Sequence, residues 1–153
     1  MVGQIVSSIC QIHNKTGCTL TWVRFHDYNG KNNLIKYPME IPSGQWAMFE
    51  HSGDPGFPSE SVGAVVYRCT NPDGEECDWM MLWSNKYGET TNKVNTEIRA
   101  KGGFDNAVWP HIRARSHTNH SEAELEKWKA SVNVVPNNAC NVFATFQGII
   151  QPN

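Results

Sequence analysis

The chain has 153 residues, a formal net charge of −2, and 13 lysines and arginines against 15 aspartates and glutamates. No clustered basic residues are present to neutralise phosphates, so nucleic acid is excluded as a partner. The 12 glycines and 8 prolines, with many asparagines and serines, are typical of short strands joined by tight turns and not of long helices.

Alternating apolar and polar residues predict strands along most of the chain. In residues 18–26, Cys18, Leu20 and Trp22 share one face, which is the period-two pattern of a strand. The other predicted strands are 4–13, 33–37, 45–51, 62–69, 77–84, 93–99 and 139–151. Turn signals at short, regular intervals separate them, as in a β-sandwich or a β-barrel. The sequence therefore predicts one all-β domain that spans residues 1–153.

Three connections carry stronger local signals. Asn29-Gly30 predicts a hairpin turn. The glycines and prolines of residues 52–61 predict an exposed loop. Residues 121–129 predict one short helix, because Ser121 and Glu124 form a capping box and Leu125 and Trp128 share a helical face.

Motifs for catalysis or metal binding are not found. The chain has no Gly-x-Ser-x-Gly elbow, no Walker loop and no His-Glu-x-x-His. His117 and His120, with Glu122 and Glu124 beyond them, have a permissive spacing, and we interpret them as solvated surface residues. We therefore predict no catalytic residue, no cofactor and no metal, and the sequence favours binding over catalysis.

The chain has five cysteines, an odd number, with no Cys-x-x-Cys pair. We interpret them as reduced, mostly buried thiols. Cys69 and Cys77 flank a turn-forming segment, so we expect them to face each other at the base of a hairpin. In an oxidising compartment this pair is the candidate for a disulfide.

Tryptophan is abundant, with six residues. The regular alternation around Trp22 and Trp46 indicates core positions. Trp79 and Trp83 lie on one strand face, which is either core or an exposed aromatic strip. Exposed aromatic side chains stack on sugar rings or insert at membrane interfaces. The candidate ligand-binding residues are Tyr28, Trp79, Trp83, Tyr87 and Trp109. If the three tryptophans among them are buried, the loops 52–61 and 100–106 become the better candidates.

An ordered set of motifs resembles the plant jasmonate-induced protein family. The motifs are NKTGCTLTW at 14–22, YP at 37–38, IPSGQWAMFEH at 41–51, GAVVYR at 63–68, CDW at 77–79, WS at 83–84 and TEIR at 96–99. The resemblance covers roughly residues 10–100, and Val142-Phe143 near the end also fits. It implies a single antiparallel β-sandwich of the nakanori-like, actinoporin type. It offers no catalytic residues to transfer.

The resemblance further implies a stress or defence role through recognition of sphingomyelin with cholesterol in membranes. We therefore expect a non-enzymatic, lectin-like or lipid-binding module, whose partner is a carbohydrate or a sphingolipid-containing membrane surface. Residues 1–13 predict a strand and not the amphipathic helix with which actinoporins form pores, so pore formation is not predicted. The alternatives are a structural or interaction domain that forms a homodimer and an enzyme of an unrecognised class. No secretory signal is visible at the start, which predicts a cytoplasmic or nucleocytoplasmic location.

Overall fold

The computed structural model describes residues 5–56, 58–89, 91–135 and 143–153. In chain order the strands are β1 (Ser7–Asn14), β2 (Leu20–Asn29), β3 (Lys31–Asn32), β4 (Glu40–Ile41), β5 (Trp46–Ser52), β6 (Glu60–Thr70), β7 (Glu76–Lys86), β8 (Lys93–Ala100), β9 (His117–Thr118), β10 (His120–Leu125), β11 (Trp128–Val135) and β12 (Phe143–Pro152), with one helix, α1 (Trp109–Ala114), between β8 and β9. The prediction of an all-β chain is confirmed. Within these ranges, no helix is long and apolar enough to cross a membrane.

The strands form two six-stranded sheets that pack as a β-sandwich. One sheet has the order β10-β11-β12-β1-β5-β3 and the other β4-β2-β6-β7-β8-β9. Among the described pairings, β1 and β12 run parallel and the others run antiparallel. The strands at the two ends of the chain are therefore neighbours at the centre of the first sheet.

Two separate apolar cores flank the second sheet. The larger core lies between the sheets and includes Phe49, Tyr67 and Phe146. The smaller core lies on the outer face of the second sheet, where Phe104, Trp109 and Ile112 cover Ala64, Val66, Met80 and Leu82. Strands β6 and β7 are consequently buried on both faces. Residues 104–114, which include α1, cover this outer face, and we call them the covering segment.

The predicted helix at 121–129 is wrong, because these residues form the hairpin of β10 and β11. Leu125 pairs with Trp128 across a two-residue turn in which Glu126 has a φ of +49°. Alternate residues of β10 point inward, with Ser121 buried between exposed neighbours. The Ser121 hydroxyl accepts a hydrogen bond from the backbone N–H of Thr96 on β8, 3.2 Å away, and does not cap a helix. The period of two and this contact override the local helix signal.

Asn29-Gly30 does not form the predicted hairpin. Here the chain leaves one sheet and enters the other, because β2 pairs with β6 whereas β3 pairs with β5. Gly30 has a φ of +85°, and a Cβ atom at this position would lie 2.2 Å from the carbonyl oxygen of Ser52. Glycine is required both for the conformation and for the close approach to β5.

Two further segments differ from the sequence predictions, and one is described only in part. Residues 33–37 are not a strand but a connecting segment between β3 and β4. The loop predicted at 52–61 is shorter, since Ser52 ends β5 and Ser61 lies buried within β6. The start of the predicted strand at 139–151, with Cys140, lies outside the described residues, and the remainder corresponds to β12.

Candidate functional site

The five aromatic residues predicted to contact a ligand do not form one exposed platform. Trp79 and Trp83 are 0% exposed and Trp109 is 3% exposed. Trp79 and Trp83 project from β7 into the core between the sheets. The outer face of the same strand is covered by the segment around α1. Of the two alternatives for Trp79 and Trp83, a core face or an exposed aromatic strip, the structure shows the core face.

Tyr28 and Trp109 do come together, whereas Tyr87 lies elsewhere. Tyr87 is half-buried in the turn after β7, and its backbone N–H donates to the carbonyl oxygen of Ser59, 2.9 Å away. Tyr28 is half-buried, and its hydroxyl donates to the carbonyl oxygen of Trp109. This bond joins β2 to the start of α1.

A cavity of about 580 Å³ opens between β2 and α1. The ring of His26 lies parallel to that of Trp109, with centroids 4.9 Å apart and an interplanar angle of 5°. Tyr28 meets His26 edge-on at 4.5 Å. The residues that line the cavity include His26 and Tyr28 of β2 and Asn106, Trp109, Pro110 and Arg113 of the covering segment.

Two guanidinium groups lie on the aromatic faces around this cavity. The guanidinium of Arg113 is 5.2 Å from the ring centroid of Tyr28. The guanidinium of Arg24 is 5.8 Å from the ring centroid of Trp109. Arg24 also donates to the carbonyl oxygen of Phe104 at 2.9 Å and to Asn106 Oδ1 at 2.6 Å. These bonds fix the covering segment against β2.

Burial changes the acid–base behaviour of the two cavity residues on β2. Burial lowers the pKa of His26. The negative charge of Asp27 opposes this shift, and the positive charge of Arg24 reinforces it. Burial raises the pKa of Tyr28 to about 12. At neutral pH both side chains are therefore uncharged, and the arginines supply the charge at the cavity.

A second feature lies on the other side of β2. Four large apolar side chains are exposed there, and we call them the apolar edge: Leu34 is 84% exposed, Met39 63%, Phe25 46% and Ile35 39%. Phe25 and Met39 line one shallow depression of about 330 Å³, which Lys31 and Lys36 also line. Soluble proteins expose large apolar side chains singly, so such a group indicates an interaction surface.

The segment that presents the apolar edge is held by specific hydrogen bonds. The Asn32 side-chain amide donates to the carbonyl oxygens of Ile35 and Glu50, and its Oδ1 accepts from the backbone N–H of Tyr37. The backbone N–H of Leu34 donates to Glu50 Oε1 at 2.9 Å. Because the backbone polar groups are used in this way, Leu34 points outward from an ordered turn.

Aromatic contacts connect the apolar edge to the core. Phe25 stacks on Tyr37 with centroids 5.7 Å apart, and Tyr37 contacts the buried Phe49 at 4.8 Å. Burial raises the pKa of Tyr37 well above its usual value. This surface was not predicted, because residues 33–37 were interpreted as a strand. Its signals in the sequence are Leu34 and Ile35 between Lys31 and Lys36, with Met39 close behind.

The outer face of the first sheet presents a further apolar pair. Trp46 and Met48 are exposed on β5, and Trp46 stacks on His13 with centroids 4.4 Å apart. The predicted core position of Trp46 is therefore wrong. Trp22 is partly buried and packs against the core.

A serine, a histidine and an aspartate meet inside the fold. His51 Nδ1 lies 2.8 Å from Ser61 Oγ, and His51 Nε2 lies 2.9 Å from Asp27 Oδ1. Ser61 and His51 are both fully buried, and Ser61 Oγ donates to the carbonyl oxygen of His51 and lies 2.8 Å from Ser8 Oγ. A nucleophile must reach its substrate, so this network links the two sheets and does not resemble an active site.

Cys69 and Cys77 are direct partners across β6 and β7, and both are free thiols. Hydrogen bonds to Cys69 from Cys77, and also from Thr16, Trp128 and Cys18, lower its pKa below the usual value, although burial opposes this effect. The Cys77 thiol donates to Cys69, which raises the Cys77 pKa. Within the described ranges, no group of three or more histidine, cysteine or acidic side chains is arranged to hold a metal ion.

Comparisons with known proteins agree with this architecture. Residues 1–140 match the family model of the Nakanori-like protein. The crystal structure of lipid binding protein Nakanori superposes with a TM-score of 0.78 and 20% sequence identity, over 95% of this chain and 70% of that chain. At this identity the likeness shows the fold, a β-sandwich.

Two relatives are named as jasmonate-induced proteins. The 23 kDa jasmonate-induced protein of Hordeum vulgare is 36% identical over 112 residues, which is 72% of this chain and 53% of that protein. The jasmonate-induced protein homolog of Atriplex canescens is 30% identical over 128 residues, which is 78% of this chain and 68% of that protein. The match therefore spans about half of the Hordeum protein. The resemblance noted in the sequence is confirmed, and the chain belongs to the Nakanori-like protein family.

Proposed function

We propose that this chain binds the surface of a lipid membrane through the apolar edge, in a non-enzymatic role. The observation that carries the proposal is the exposure of Leu34 and Met39 on an ordered segment that also bears Lys31 and Lys36. Apolar side chains enter the boundary between head groups and acyl chains, while lysines remain at the anionic surface.

The expected energies are sufficient for reversible attachment. Burial of a Leu, Met, Ile or Phe side chain contributes about 1.5–3 kcal/mol when it is complete. Each lysine near an anionic membrane contributes about 1 kcal/mol. Because the turn is already ordered by Asn32 and Glu50, little conformational entropy remains to be lost on binding.

The relatives give independent support. The solved structure with the same fold is described as a lipid binding protein. The names of the Hordeum and Atriplex relatives support a stress-related role. A sphingolipid-containing membrane is the finer form of the proposal. The lectin-like alternative has less support, because Trp79 and Trp83, two of its predicted stacking residues, are buried.

Vesicle flotation tests the proposal. The vesicles contain phosphatidylcholine alone, phosphatidylcholine with phosphatidylserine, or sphingomyelin with cholesterol. The double variant Leu34→Ser/Met39→Ser removes apolar surface from the apolar edge. The matched control Trp46→Ser/Met48→Ser removes two exposed apolar side chains from the first sheet.

We expect the Leu34→Ser/Met39→Ser variant to bind at least about tenfold more weakly, and the control to bind like the wild type. Equal binding by both variants, or loss only in the control, would contradict the apolar edge as the membrane site. Preference for sphingomyelin with cholesterol supports the sphingolipid form, whereas equal binding to all neutral vesicles rejects it.

A homodimer is the second candidate function, favoured by Trp46 and Met48 on the outer face of the first sheet. A stable dimer needs a total buried area of about 1,200–2,000 Å². For this candidate we expect light scattering to show a dimer for the wild type and a monomer for the Trp46→Ser/Met48→Ser variant. A monomeric wild type would reject this candidate.

A further inference from the structure

The cavity between β2 and α1 has the dimensions of a small-molecule site. Its volume of about 580 Å³ lies within the range of about 300–1,000 Å³ that is typical of ligand pockets. Pro110, Ala114 and the rings of His26 and Tyr28 supply apolar lining. The described residues that line it include no carboxylate. Its chemistry is therefore that of an apolar pocket with a few polar groups.

Each aromatic ring at the cavity already has a partner on at least one face. Arg113 covers the ring of Tyr28, and His26 and Arg24 lie against the ring of Trp109. A quaternary ammonium group or a sugar ring needs a free aromatic face. The guanidinium groups and the apolar lining are therefore the main groups that the cavity offers to a ligand.

The two arginines at the cavity have no carboxylate as a direct partner among the described residues. In the part of the chain that the structure describes, Arg24 and Arg113 form no ion pair. The buried Nε of Arg24 has no hydrogen-bond partner among those residues. The charges of two carboxylates reach the cavity residues. Glu97 is paired with Arg99 at 2.8 Å and Arg115 at 3.7 Å, and Asp27 is hydrogen-bonded to His51 at 2.9 Å, so neither is a direct partner of Arg24 or Arg113.

We propose that this cavity binds an anionic amphiphile, a small molecule with one phosphate or carboxylate group on an apolar body. The guanidinium of Arg113 binds the anionic group, since its planar fork of N–H donors can bond two oxygens of a carboxylate or a phosphate. The apolar body lies against Pro110, Ala114 and the edge of Trp109. This cavity is distinct from the apolar edge, because the two surfaces lie on opposite sides of β2. The proposed ligand binds from solution.

Four soluble probes separate the parts of the proposal, each used below its micelle concentration. Octyl phosphate carries both the anion and the apolar body, and inorganic phosphate carries the anion alone. Octyltrimethylammonium reverses the charge, and octyl glucoside removes it. Calorimetry measures the affinity of each probe, and the NMR signals of His26, Tyr28 and the Trp109 indole N–H report the place of binding.

The variant Arg113→Gln removes the proposed anion contact. Arg115→Gln is the charge-matched control, because Arg115 is 61% exposed and does not line the cavity. We expect octyl phosphate to bind the wild type and Arg115→Gln equally, and Arg113→Gln at least about tenfold more weakly.

Two results support the proposal and four overturn it. Shifts confined to the cavity signals and weaker binding of the three other probes support it. Absence of octyl phosphate binding, or equal binding by Arg113→Gln, would overturn the site. Binding of octyltrimethylammonium or octyl glucoside as tight as that of octyl phosphate would overturn the anion preference. Equal binding of inorganic phosphate would overturn the role of the apolar lining.

Discussion

The indole N–H of Trp79 donates a hydrogen bond to Thr96 Oγ1, 2.7 Å away. Thr96 Oγ1 donates in turn to the carbonyl oxygen of Met80, also at 2.7 Å. All three residues are buried. The polar end of this tryptophan is therefore satisfied inside the protein, as expected for a core residue and not for a ligand contact.

Substitution of Trp79 is expected to change stability and not binding. Trp79→Phe removes the indole donor and part of the buried ring, so we expect the free energy of unfolding to fall by about 1–3 kcal/mol. Urea denaturation measures this loss, and vesicle flotation is expected to be unchanged at a temperature where the variant is folded. A variant with wild-type stability and lost vesicle binding would restore Trp79 as a contact residue.

Two glycines with the same backbone conformation separate strain from steric contact. Gly17 and Gly30 both have a φ of +85°, but a Cβ atom at Gly17 meets no atom of the described residues within 4 Å, whereas at Gly30 it meets the Ser52 carbonyl oxygen. Gly17→Ala is expected to cost about 1–2 kcal/mol of unfolding free energy from the conformation alone. Gly30→Ala is expected to cost clearly more, because β5 must also move. Equal losses in denaturant titrations would show that the contact with β5 is loose.

Most strands were predictable from the sequence, and alternation with period two persists along β1 and β12. The inward residues of β2 and β5 were not, because β2 shifts register between Trp22 and Arg24 and because Trp46 on β5 is exposed. The direction of the chain at Gly30 was not predictable, since Asn-Gly specifies a local turn and not which strand lies beyond it. The hairpin at Glu126 was missed for a related reason. A capping box is a local signal, and the contact of Ser121 with Thr96 across the fold decides the outcome.

Acid is expected to weaken the fold in part through His26. Burial lowers the pKa of His26 below its unfolded value, so the unfolded chain binds the proton more readily. Stability from the neutral side chain is therefore present at neutral pH and is lost as the pH falls below about 6.5. Between about pH 7.5 and pH 5, the wild type should lose more unfolding free energy than His26→Gln. A difference between the two proteins that stays constant over this range would contradict the assignment.

The cysteines are expected to react in a fixed order. Cys10, Cys69 and Cys77 are fully buried, whereas Cys18 is partly exposed. In a Cys140→Ser background, an alkylating reagent applied to the native protein should label Cys18 first. Peptide mass spectrometry measures the rate of labelling at each cysteine. The low pKa of Cys69 alone would favour that thiol, so labelling of Cys69 as fast as Cys18 would show that its burial is incomplete.

The disulfide between Cys69 and Cys77 stays a prediction, and oxidation of the native protein followed by the same mapping tests it.

The candidate site was only partly accessible to sequence reasoning. Tyr28 and Trp109 were predicted as contacts, and they meet at the cavity although they are 81 positions apart in the chain. Arg113 was not predicted, because nothing local indicates that it will lie over Tyr28. Trp79 and Trp83 were ambiguous because both faces of β7 are apolar. Only the covering segment around α1 shows that both faces are buried.

Contact with the membrane can be observed at each residue by NMR in lipid vesicles or nanodiscs that contain a spin-labelled lipid. If the apolar edge enters the lipid, the amide signals of Leu34, Ile35 and Met39 lose the most intensity, because relaxation falls steeply with distance from the label. The signals of Trp46 and Met48 on the first sheet should be preserved and serve as the internal control. Strongest loss at Trp46 and Met48, or no loss at Leu34 and Met39, would contradict membrane binding through the apolar edge.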